Sequence, residues 1–128
     1  MSFTIEKIAD APAVLVQAGA DFDAETELEI AVKESTWLIA EQTTPVFAIW
    51  DTCQMSTTVN IIVQGANVSR SLDIPANQVG TLVISSTPAI KMAMEGMNSH
   101  AFGHMTVPVF ENLDEAVAYA RQQVENLN

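Results

Sequence analysis

Residues 45–60, PVFAIWDTCQMSTTVN, decide how this chain is read. Val46-Phe-Ala-Ile-Trp50 is apolar throughout, as expected of a central strand covered on both faces. Asp51 ends that run, and a short polar turn follows. Met55–Asn67 then places Val59, Ile62, Val63 and Ala66 on one face of a helix. Gly65 costs that helix about 1 kcal/mol relative to Ala, so close packing or an early end is expected there. Strand, turn and helix in this order form the unit of an open α/β sheet. Such sheets commonly bind ligands outside the carboxyl ends of their strands.

Toward the amino terminus, Phe3, Ile5 and Lys7 alternate with Thr4, Glu6 and Ile8, the pattern of a half-buried strand. Asp10-Ala-Pro12 makes a turn, because proline fixes φ and lacks a donor. Val14-Leu-Val16 starts a second strand that ends near Gly19. So short a link predicts an antiparallel hairpin. Asp21 or Asp23 can cap the next element, with Glu25, Glu27 and Glu29 at the positive end of its dipole. Ala24, Leu28, Ala31, Val32, Ser35, Leu38 and Ile39 recur at helical spacing, which predicts an amphipathic helix over about 23–41. Trp37 is read as a packing residue at its end. The acidic run is read as a solvated face, since no His or Asp stands at ligand spacing. Thr43-Thr-Pro45 breaks the helix.

Toward the carboxyl terminus, SRSLDIPANQ at 69–78 is a polar connection, and VGTLVIS at 79–85 is a second buried strand. Thr87 with Pro88 at the first helical position predicts a helix start. That helix carries Ile90, Met92, Met94 and Met97 and is expected to fade near 96–98. Residues 99–104 form a loop. Thr106–Phe110 is a short strand, and Pro108 confines it to a sheet edge or a bulge. Asn112 with Glu115 opens the last helix in the manner of a capping box. The expected fold is α/β in the order ββαβαβαβα: a mixed sheet of four to five strands, with right-handed βαβ crossovers after the first hairpin. Residues 1–128 read as one domain.

Composition excludes several classes. Acidic residues number 16 against 5 basic ones, a net charge of −11. The five cations are scattered along the chain, so nucleic acid and anionic lipid are disfavoured as partners. Acidity serves solubility, or else fits a basic protein partner. Cys53 is the single cysteine, so intrachain disulfides and multi-cysteine zinc sites are excluded. No apolar run approaches a membrane span, and MSFTIEKIAD lacks the pattern of a signal peptide. A cytoplasmic protein is expected.

With the whole order laid out, PVFAIWD, VGTLVISS and VPVFENLDEAVAYA resemble the STAS/SpoIIAA-like superfamily of anti-sigma-factor antagonists. The ending is similar to that family's final strand and its F-x-x-x-x-E-A helix. The resemblance covers most of the chain and implies a regulatory or protein-interaction module, with no enzymatic activity. In the antagonists, the turn after the central strand carries D-S-[ST]-G, with a serine phosphorylated by a partner kinase. Here Asp51 is followed by Thr52-Cys-Gln-Met-Ser56-Thr57-Thr58, without the glycine.

The candidate switch or binding turn is therefore Asp51, Thr52, Ser56, Thr57 and Thr58. A helix N-terminus there favours an anion, and a hydroxyl there can take a phosphate. The competing reading is that Ser56 or Thr57 caps the helix. Ser85, Ser86 and Thr87 form the equivalent turn after the next strand and can line the same crevice. Met92, Met94, Met97, Phe102 and Met105 make a soft apolar group, read as core, as a homodimer surface or as the rim of an apolar pocket. The last reading supports the alternative of a small apolar-ligand or lipid carrier. A Cys53-dependent enzyme lacks a base nearby in sequence. A receiver-like phosphoacceptor at Asp51 lacks the early acidic pair and the late lysine. His100 and His104 fall in a loop, which argues against a metal, and no cofactor is expected.

Overall fold

The computed structural model describes residues 2–55, 61, 64, 67, 68, 75–97 and 107–127, the side chains of Ala93, Met94, Gly96 and Met97 excepted. Five strands form one sheet in the order β1-β2-β3-β4-β5: β1 Phe3–Lys7, β2 Ala13–Ala18, β3 Val46–Asp51, β4 Gln78–Ile84 and β5 Val109–Phe110. β1 and β2 pair antiparallel, and the other three pairings are parallel. The helices are α1 Ala24–Ala40, α2 Pro88–Met97 and α3 Leu113–Glu125. Ile61, Gln64, Asn67 and Val68 also have helical backbone.

The apolar run of β3 occupies the middle of the sheet because both of its faces are covered. Phe47 and Ile49 join Ala13, Leu15, Leu82 and Ile84 against Ala116 and Ala120 of α3. The alternate residues Val46 and Ala48 join Val14 and Ile39 on the α1 side. Phe3 and Val16 meet Ala31 there too. The twofold periodicity of a strand thus deals successive apolar side chains to two separate cores. Tyr119 bridges β3 and β5, its ring 6.1 Å from that of Phe47 and 5.2 Å from that of Phe110.

Asp23 caps α1: its carboxylate accepts from the Glu25 N–H at 3.0 Å, and Glu27 accepts from the Asp23 N–H at 3.1 Å. Asn112 caps α3 by accepting from the Glu115 N–H at 3.0 Å. The hairpin turn carries Asp10 at φ 62°, a left-handed conformation that aspartate tolerates better than most residues. Lys7 Nζ donates to the carbonyls of Ile8 and Ala11, and Arg121 reaches from α3 to the Asp10 carbonyl at 2.9 Å.

Two expectations are corrected. Trp37 does not pack: it is 65% exposed, on the face of α1 opposite Leu28, Ala31, Val32, Ser35 and Ile39. The last strand is shorter than 106–110, because Pro108 brings no N–H to the ladder and pairing begins at Val109. Pro108 still accepts from the Val83 N–H through its carbonyl, at 3.0 Å. Thr106 lies outside the described residues.

Candidate functional site

Parallel pairing of β2, β3 and β4 brings their carboxyl ends to one edge of the sheet, and the turns that follow them meet there. Asp51 closes β3, and its carboxylate accepts from the Cys53 N–H at 3.0 Å, an Asx turn that redirects the chain. Thr52 anchors this turn to the neighbouring strand. It is 6% exposed, its hydroxyl donates to the Ile84 carbonyl at 2.7 Å, and its N–H donates to the same oxygen at 3.0 Å. Met55 N–H in turn donates to the Thr52 carbonyl at 3.3 Å.

The second turn is built similarly. Ser85 is buried, its Oγ accepts from the Thr87 N–H at 3.3 Å, and its N–H donates to the Phe110 carbonyl at 2.9 Å. Ser86 and Thr87 are exposed. The Thr87 carbonyl accepts from Ile90 and Lys91, starting α2 at Pro88. Cys53 joins the two turns, because its thiol lies within reach of both Asp51 and Ser86.

Of the residues singled out in the sequence, Asp51, Thr52, Ser85, Ser86 and Thr87 therefore share one edge. Ser56, Thr57, Thr58, Phe102 and Met105 lie outside the described residues, as do His100, His104 and the side chains of Met94 and Met97. Met92 is 73% exposed, so it is a surface residue of α2 rather than a core one.

Sequence reasoning did not find the cleft beside this turn. It has a volume of about 220 Å³ and is lined by Ser2, Thr4, Gln17, Gly19, Asp51 and Gln54 among others. It opens where β1 begins and β2 and β3 end, so its walls come from segments far apart in sequence. Gly19 brings the chain close at this point: its N–H donates to the Ser2 carbonyl at 2.7 Å, and a Cβ on it would meet that oxygen at 3.2 Å.

Partial burial pushes the Cys53 thiol above its ordinary pKa, and the hydrogen bond and negative charge of Asp51 push it further; the N–H and hydroxyl of Ser86 oppose them. A raised pKa keeps the sulfur a thiol at neutral pH, the opposite of what a cysteine nucleophile needs. Asp51→Asn removes the charge, so the Cys53 pKa is expected to fall. Alkylation by iodoacetamide at pH 8 should then run about two- to threefold faster than in the wild type. An unchanged or slower rate would show that Asp51 does not govern this thiol.

Among the described residues, no group of three or more His, Cys, Asp and Glu could hold a metal ion, and no helix is long and apolar enough to cross a membrane. The sequence matches no family model and no curated protein. Its fold, however, is similar to a solved one. An anti-sigma factor antagonist from Mycobacterium paratuberculosis superposes with a TM-score of 0.60 at 16% identity, over 93% of this chain and 92% of that one. The five-stranded mixed sheet, the N-terminal hairpin and the helices packed on it are thus the SpoIIAA-like fold.

Proposed function

We propose that this chain is a non-enzymatic regulatory module that acts in the cytoplasm and binds a protein partner through the turn after its central strand. The observation that carries this reading is the construction of that turn. The side chains of Asp51 and Thr52 fix the backbone of the turn, which holds the exposed Cys53 and Gln54 at the carboxyl ends of the strands. Ser86 and Thr87 extend the same edge. A rigid scaffold that presents a short polar loop is suited to recognition. The raised pKa of Cys53 weighs against covalent catalysis at the same place. The fold neighbour is an antagonist of an anti-sigma factor, and a related mode of action here is part of the proposal. With a net charge of −11, the chain would favour a basic partner.

Ser56→Glu places a negative charge where a phosphate would stand. Affinity capture from a lysate of the source organism is expected to recover a partner with the wild type and to lose it, or exchange it, with Ser56→Glu. Empty and identical recoveries from the two proteins would sink the reading. Native mass spectrometry of the same preparations tests the carrier alternative, which requires a bound small apolar molecule.

A further inference from the structure

The outer face of α1 carries two large apolar side chains that the fold leaves in solvent. Trp37 is 65% exposed and Ile30 is 50% exposed. They stand seven residues apart, so they lie about 10 Å apart along nearly the same line of the helix. This line points away from the sheet, because Leu28, Ala31, Val32, Ser35 and Ile39 bury the opposite side. Beside it runs a second line with the same spacing: Glu27, Glu34 and Glu41. On its other flank, Lys33 pairs with Glu29 at 3.3 Å. An apolar seam with a charged column one step round is the arrangement by which one helix recognises another.

We infer that this face docks a basic amphipathic helix of another protein, whose apolar ridge covers Ile30 and Trp37 and whose Lys or Arg side chains face Glu27, Glu34 and Glu41. The charge pattern selects this occupant. A second copy laid antiparallel would set the glutamate column against itself. A parallel copy would set it against a flank whose one cation, Lys33, is already paired with Glu29. Tryptophan is among the residues enriched at the energetic centres of interfaces, and an exposed one flanked by charge is well placed for that role. The surface lies on α1, away from the turn at Asp51, so it stands or falls independently of the partner reading made for that turn.

The probe is a synthetic helical peptide with Leu along one face and Lys along its flanks, beside a scrambled peptide of the same composition. The patterned peptide is expected to bind the full chain, weaken as salt rises, and shift the tryptophan emission to the blue in the wild type and in Trp50→Phe, where only Trp37 emits. Trp37→Ala and, separately, Glu34→Lys should each weaken binding at least about tenfold, with the circular dichroism spectrum unchanged because Trp37 is exposed and Glu34 lies outside the buried stripe of α1. Asp114→Asn, an exposed carboxylate on α3, should bind as the wild type does. The inference is overturned if the patterned peptide does not bind, or if the scrambled one binds equally well. It is also overturned if Trp37→Ala retains wild-type affinity, or if the wild type sediments as a dimer that Trp37→Ala dissolves.

Discussion

Replacing Asn77 with alanine is expected to lower the stability of the fold by about 2 kcal/mol, a fall of roughly 8 °C in Tm for a chain of this size. Asn77 stands just before β4, and its side-chain amide donates toward three carbonyls: Ile39 at 2.9 Å, Gln42 at 3.2 Å and Thr44 at 3.1 Å. The first lies in the last turn of α1 and also accepts from the Gln42 N–H at 3.0 Å. The other two lie in the link to β3. Asn77 also accepts from the Val46 N–H through its own carbonyl at 2.9 Å. One residue therefore fixes where α1 ends and where the central strand begins. Alanine keeps the backbone bond and loses the donors. Asn77→Asp keeps the size but turns carboxylate oxygens toward the same carbonyls, so it should melt at or below the alanine variant. Thermal unfolding followed by circular dichroism checks both. A variant that melts within about 2 °C of the wild type would show that water replaces the amide without cost.

That clamp was invisible in the sequence for a definite reason. Its partners are 33 to 38 residues away, and Asn77 sits in a stretch, 69–78, that reads only as a polar connection. Local signals fared better. Of the two aspartates that could cap α1, Asp23 does so, Asn112 caps α3 as its position implies, and the stripe from Leu28 to Ile39 faces the sheet. The alternation in β1 and the short turn give the hairpin directly. Trp37 shows the opposite failure. Its hydrophobicity was read in place of its phase, although the spacing of Leu28, Val32, Ser35 and Ile39 already puts residue 37 on the far side of the helix. At the candidate site, the strand end and both turns were legible because a strand-to-helix break has a sequence signature. The cleft was not, because Ser2, Gln17 and Gln54 meet only once the strands are paired. Thr52 belongs by sequence to the candidate switch or binding turn, and nothing local reveals that its hydroxyl turns inward to Ile84 across the sheet.

Ile49→Ala should have the largest effect of any single substitution considered, about 3–4 kcal/mol, or roughly 12–15 °C in Tm. Ile49 is fully buried, in register with Leu15 of β2 and Leu82 of β4, so the deletion opens a cavity in the middle of the three central strands. The facing α3 residues are Ala116 and Ala120, both with no exposed surface. Alanines have no length with which to collapse into the gap, so the loss should fall toward the upper part of the range seen for such deletions. Ile49→Val removes one methylene and should cost about 1 kcal/mol, which separates the cavity from any change in strand propensity. The contrast with the turn then becomes a test of how the molecule divides its labour. At a temperature where Ile49→Ala remains folded, the Cys53 alkylation rate should match that of the wild type, because Asp51 and Thr52 are held by hydrogen bonds to the neighbouring backbone. A faster rate in the folded variant would mean that packing under β3, two residues before the turn, sets the environment of the thiol. In that case Val46–Trp50 would shape the site as well as support it.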